Sequence, residues 1–149
     1  MANNINKFED NRFLNEINDF DLVALAEAHK GYNSTFEIEN FKIIFSICRD
    51  LSSNGRYYGG LAILRKNSVK EHVQILPTTC KDYQWLKIDK DYFGLASDLY
   101  LCTVYIPPAN SSYTKKLSYD IIDLFEKDLI QFKSKGDFCV DFNARTASE

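Results

Sequence analysis

A carboxylate and a carboxamide stand two residues apart near the end of the chain, in Asp141-Phe142-Asn143. They follow the apolar run Phe138-Cys139-Val140. If that run is a strand, period-two alternation sends Asp141 and Asn143 to the same side of a sheet. Such a pair suits a divalent metal and a phosphate oxygen. Two more polar groups close apolar runs in the same manner. Glu27 ends Asp21-Leu-Val-Ala-Leu-Ala-Glu27, and Tyr105 ends Leu99-Tyr-Leu-Cys-Thr-Val-Tyr105 just before Ile-Pro-Pro. Sites in layered sheets form at strand ends, where rigid backbone holds side chains in a cleft. The chemistry these four residues indicate is a metal-assisted phosphodiester reaction. Glu27 would give Mg²⁺ a carboxylate oxygen. Asp141 would orient or deprotonate the attacking water. Asn143 would hydrogen-bond a phosphate oxygen, and Tyr105 would stabilise charge on it. Each also has a plainer use: a solvated strand end for Glu27, an amphipathic core rim for Tyr105, a turn for Asp141 to Asn143.

Other chemistries find less support. His29 and His72 are the only histidines, with no His-Glu-x-x-His pattern and no Cys/His cluster, so a zinc site is not indicated. No serine sits in a nucleophile elbow. Gly59-Gly60 forms no phosphate loop and more simply lets a strand start close to another backbone. Arg56 and Arg65 flank Tyr57 and Tyr58, which could touch nucleic acid but better suits a solvated strand entry. The four cysteines, Cys48, Cys80, Cys102 and Cys139, make no C-x-x-C pair, and three lie in apolar runs. Buried free thiols are expected.

The elements that must position the four residues follow from periodicity. Residues 8–18 read as a short amphipathic helix with Phe13, Leu14 and Ile17 on one face. Residues 21–27, 40–48 and 59–65 read as buried strands, with polar turns at 30–40 and 49–56. Residues 72–76 and 83–89 alternate and suit a sheet edge or a one-sided sheet. Residues 99–106 are rich in β-formers and stop at Pro107-Pro108. Residues 112–133 hold the clearest helix: Leu117, Ile121, Leu124, Phe125, Leu129 and Phe132 share a face, and Gly136 follows its end. A strand at 137–142 comes last. The continuous apolar strands suit a sheet covered on both faces. The order predicts one layered α/β (α+β) domain over residues 1–149.

Composition agrees with such a domain. The chain has 149 residues, 45% hydrophobic and 14% aromatic, enough for a real core. Its 18 basic and 21 acidic residues give a net charge of -3, which weighs against a dedicated phosphate-backbone binder but not against a nucleic-acid enzyme with a bound cation. The first residues have no apolar core of a signal peptide, and no run reaches the ~18–20 apolar residues needed to cross a membrane. An intracellular location, nuclear or cytoplasmic, is expected, with no membrane partner.

In order along the chain, Asp21-Leu-Val-Ala-Leu-Ala-Glu27-Ala-His29, Tyr58-Gly-Gly-Leu-Ala-Ile-Leu-Arg65, Leu99-Tyr-Leu-Cys-Thr-Val-Tyr105-Ile-Pro-Pro and Asp137-Phe-Cys-Val-Asp141-Phe-Asn143-Ala-Arg145 resemble the endonuclease/exonuclease/phosphatase superfamily. The stretch from Tyr57 to Lys66 and the long helix before Asp141-Phe-Asn-Ala-Arg-Thr are similar to the apurinic-type endonuclease domain of non-LTR retrotransposon polyproteins. The resemblance spans about residues 20–146. It implies a four-layer αββα sandwich, two packed sheets between helices. It also implies Mg²⁺-dependent phosphodiester hydrolysis, with Mn²⁺ as a substitute, acting on DNA. By position, the family's metal-binding glutamate is similar to Glu27 and its active-site tyrosine to Tyr105. The Asp and Asn of its Gly-Asp-Phe-Asn motif are similar to Asp141 and Asn143.

The chain also departs from the family pattern. Val140 stands where the motif has glycine, and Glu27-Ala28 stands where Glu-Thr is usual. The Asn motif of the family's first strand and the Asp and His beyond its Asp-Phe-Asn motif have no counterpart here. The expectation is a fragment, partial at both ends, from a degenerate mobile element or an incomplete gene model. Its parent polyprotein would carry a downstream reverse transcriptase, and its own nuclease activity would be absent or very weak. A non-catalytic binding remnant, and a phosphatase-type member acting on a small phosphodiester, are the alternatives.

Overall fold

The computed structural model describes residues 10–26, 28, 37–46, 60–107 and 111–144, with side chains to residue 141. The chain enters through α1 (Asn11–Ile17), whose first turn is capped by Asp10, its carboxylate accepting the Arg12 N–H at 2.9 Å. β1 (Leu22–Ala26), β2 (Phe41–Ser46) and β3 (Leu61–Lys66) form an antiparallel sheet in the order β1-β3-β2. β3 lies between two neighbours and is buried from Leu61 to Arg65, which explains its unbroken apolar sequence.

A 3-10 segment (Asn67–His72) leads into the second sheet. Its strands are β4 (Val73–Ile75), β5 (Tyr83–Ile88), β6 (Leu99–Ile106) and β7 (Asp137–Ala144), in that spatial order. β4, β5 and β6 pair antiparallel, while β7 runs parallel to β6. Parallel neighbours need a crossover. Here α3 (Ile121–Lys133) supplies it and covers one face of the sheet.

Three apolar clusters set the layers. Ile17 and Phe13 of α1 pack on Leu64, Val23 and Leu25. Ile63, Leu22 and Phe45 of the first sheet meet Leu86 and Leu101 of the second. Trp85, Tyr83, Cys102 and Val104 meet Phe125 and Phe132 of α3. The architecture is helix, sheet, sheet, helix: an α/β sandwich, as expected. Alternation along each strand divides these contacts, so Ile63 faces the other sheet while Leu64 faces α1.

Some expectations need correction. The helix anticipated over residues 112–133 begins only at Ile121. Asp120 caps it, its carboxylate accepting the N–H groups of Ile122 at 2.7 Å and Asp123 at 3.4 Å. The preceding segment is a short 3-10 turn (Thr114–Lys116), so the helical spacing from Leu117 is coincidental. β5 is not an edge or one-sided strand. It pairs on both sides, and Gln84 is buried because its amide donates to the carbonyls of Leu76 at 2.7 Å and Trp85 at 2.8 Å. A one-turn helix, α2 (Lys90–Phe93), was not anticipated; Gly94 ends it in the left-handed conformation at φ 67°.

Cys80 and Cys102 are buried free thiols, as expected, but Cys139 is exposed on the edge strand β7. Cys48 lies outside the described residues. Burial pushes both the Cys80 and Cys102 thiols up from their ordinary range. Because the thiolate is the nucleophile, iodoacetamide on the folded protein labels Cys139 before Cys80 or Cys102. Residue-resolved mass spectrometry checks this; Cys102 labelled as fast as Cys139 would contradict the packing. Among the described residues, no helix is long and apolar enough to cross a membrane.

Candidate active site

The parallel pairing of β6 and β7 assembles the C-terminal part of the site. Thr103 lies opposite Asp141, and Tyr105 lies opposite Asn143. Leu101 packs between the sheets, so alternation places Thr103 and Tyr105 on the inter-sheet side. Their register partners Asp141 and Asn143 occupy the same side of the ladder. Tyr105 is buried, whereas Asp141 is exposed. The side chain of Asn143 lies outside the described residues, as do Glu27 and His29. The end of β1 stops at Ala26, one residue before Glu27, and the Ala28 N–H donates to the Gly60 carbonyl at 3.3 Å.

Thr103 is a member of this group that the sequence reading passed over. It is 2% exposed and paired directly to Asp141. Its position two residues before Tyr105 was a usable signal, because strand period two puts both on one face.

Two buried carboxylates stiffen the surroundings. Asp82 is fully buried just before β5, and its carboxylate accepts hydroxyls from Tyr113 at 2.9 Å and Tyr119 at 3.3 Å. Its backbone carbonyl accepts the N–H of Tyr105 at 2.9 Å. Asp82 therefore joins the end of β6 to the segment that follows it. Burial, with Cys80 and Asp82 close by, pushes the Tyr119 phenol up to about 12. The second carboxylate, Asp128 on α3, accepts from the Tyr83 hydroxyl at 2.7 Å and the Thr79 hydroxyl at 2.7 Å. Burial and Asp128 push the Tyr83 phenol far above its ordinary range. Asp128 had a signal in the sequence: it sits three residues after Phe125 and four before Phe132, on the apolar face.

His72 is at the opposite end of the second sheet. Its Nδ1 lies 3.0 Å from Asp89, and its ring stacks on Tyr92 at 3.9 Å. The His72 hydrogen bond holds the Asp89 carboxyl below the usual range. Asp89 adjoins the start of β6, so six strand steps at roughly 3.3 Å each put His72 about 20 Å from Tyr105. His72 cannot serve the Asp141 end.

The donor set can be tested against a metal. Mg²⁺ is held through one or two carboxylates and keeps several waters. Asp141 presents an exposed hard oxygen donor within β7, three residues before its end at Ala144, which fits that mode. Among the described residues, no group of three or more His, Cys, Asp or Glu side chains is placed to cage an ion. No protein-family model matches the chain, and a search of curated proteins finds no match.

Proposed function

We propose that the chain carries a metal-dependent phosphodiester hydrolase site of endonuclease type, with DNA as the substrate and a low turnover. The observation that supports it most is the parallel register that sets Asp141 and Asn143 against Thr103 and Tyr105. In this reading Mg²⁺, with Glu27 as ligand, neutralises phosphate charge when bound. Asp141 orients the attacking water and takes its proton. Asn143 and Tyr105 hold the phosphate oxygens. The family resemblance to retrotransposon endonucleases adds DNA as the substrate and a reverse transcriptase as the companion activity.

The test is nicking of supercoiled plasmid. Wild type nicks slowly with Mg²⁺ and not with EDTA. Asp141→Ala lowers the rate by about 10²-fold or more, while His72→Ala leaves it unchanged. Equal nicking by Asp141→Ala sinks the assignment. Absence of nicking with DNA binding retained favours a non-catalytic binding domain instead.

A further inference from the structure

β7 is the outer strand of the second sheet, and among the described residues it pairs only with β6. That ladder takes the backbone N–H and C=O groups on one side of the strand. The groups on the other side point away from the sheet and have no ladder partner among the described residues. The open edge is long: β7 has eight residues, and its register with β6 runs from Asp137 to Ala144 without a bulge. Its side chains are open on both faces. Asp137, Phe138, Cys139 and Asp141 are exposed, Phe138 at 46%, while Val140 is partly covered by the cluster under α3.

A long edge is ordinarily guarded by lysine, by proline, by a bulge or by brevity. β4, at the opposite edge of the same sheet, is guarded by brevity, with three residues. β2, at an edge of the first sheet, carries Lys42 and a shift of register. The β7 sequence Asp-Phe-Cys-Val-Asp-Phe-Asn-Ala has neither lysine nor proline. Its only charges are Asp137 and Asp141, which alternation puts on one face.

An edge of this kind accepts an extended strand. A second copy of the chain supplies one of matching length, because a two-fold contact joins the same patch on both subunits. With the axis perpendicular to the sheet, two β7 strands run antiparallel, and residues opposite each other share a face. Each register then centres on one residue, and the two aspartates discriminate among registers. Centred on Asp141, that carboxylate meets its own copy. Centred on Cys139, Asp137 meets the partner's Asp141. Like charges directly opposite are destabilising. Centred on Val140, no carboxylates are opposed. Cys139 then stands opposite the partner's Asp141, Phe138 opposite the partner's Phe142, and Asp137 opposite the partner's Asn143. Registers centred further out pair less of the strand.

We propose that the chain forms a two-fold dimer through the open edge of β7, with Val140 on the axis, so that two four-stranded sheets become one continuous sheet. The proposal is independent of the hydrolase reading, because it rests on backbone pairing and charge spacing alone.

Sedimentation velocity of the full chain, over a wide concentration range in EDTA and reducing agent, measures the association without metal or disulfides. Wild type associates reversibly to a dimer and no further, since the two-fold contact is closed. Cys139 tests the register, because it is exposed and faces the partner's Asp141. Cys139→Lys sets an opposite-charge pair on each side of the axis and tightens Kd about 2- to 30-fold, while Cys139→Glu weakens it by a similar factor. The exchange Cys139→Glu/Asp141→Lys restores association. Gln74→Lys and Gln74→Glu, exposed on β4, change the net charge equally and leave Kd nearly unchanged at physiological salt. Circular dichroism confirms that each variant is folded. A monomer at every concentration overturns the proposal, as do species that grow beyond the dimer. Shifts of one sign in both Cys139 variants, or equal shifts in the Gln74 variants, overturn it as well.

Discussion

Trp85→Ala lowers the unfolding free energy by about 3–5 kcal/mol, while Trp85→Phe changes it by less than about 1.5 kcal/mol. Trp85 is fully buried in the layer between the second sheet and α3. Its ring lies parallel to Phe125 at 5.8 Å and tilted on Phe132 at 5.0 Å. Removing it leaves a cavity that α3 cannot close, because Asp128 ties the helix to Tyr83 and Thr79. Phenylalanine keeps most of the ring and deletes the indole N–H, which is buried without a hydrogen-bond partner among the described residues. The loss of area is thus offset by removal of an unsatisfied donor. Urea denaturation at constant m-value measures both changes. A phenylalanine variant as unstable as the alanine variant would show that the indole nitrogen matters more than the packing.

Gly136→Ala destabilises the protein by about 1–3 kcal/mol and loosens β7. A Cβ at this position would sit 2.4 Å from the Asp98 carbonyl oxygen and 3.1 Å from the Tyr100 ring. The first neighbour is backbone, so one chain must move. Asp137, the next residue, is clasped to Ser97: the Ser97 hydroxyl donates to its carboxylate at 2.7 Å and accepts its N–H at 3.3 Å. The added methyl therefore pushes apart the starts of β6 and β7. Hydrogen exchange reads the effect locally, as lost protection of β7 amides from Asp137 onward, and denaturation reads it globally. Stability within about 0.5 kcal/mol of wild type, the range of an ordinary surface change, would contradict this close approach. Because β7 carries Asp141 and Asn143, the same variant also disturbs the site without touching it.

Much of the layer pattern was readable from local sequence. β6 matched at both ends, because β-branched and aromatic residues fill it and Pro107 stops it. α1 and β1 fell within the expected segments. The start of α3 was misplaced because Leu117 extends the apolar spacing backward, although Asp120 just before Ile121 was a capping signal in plain view. β5 was misjudged for another reason. Gln84 looks solvent-facing in sequence, and only two carbonyls supplied by the fold allow its amide to be buried. The burial of Asp82 and Asp128 likewise depends on hydroxyls from distant segments.

The sequence by itself determined that Asp141 and Asn143 share one side of their strand, because alternation is a local property of extended backbone. It also determined the covered, apolar character of β3 and β6. Only the tertiary structure decided which residues stand beside Asp141 and Asn143. The α3 crossover lays β7 parallel to β6 and fixes the register at Thr103 and Tyr105. The antiparallel pairing of β4 with β5 and of β5 with β6 puts His72 at the far end of the sheet. Strand order and register are set by packing between segments far apart in the chain, which local spacing does not encode.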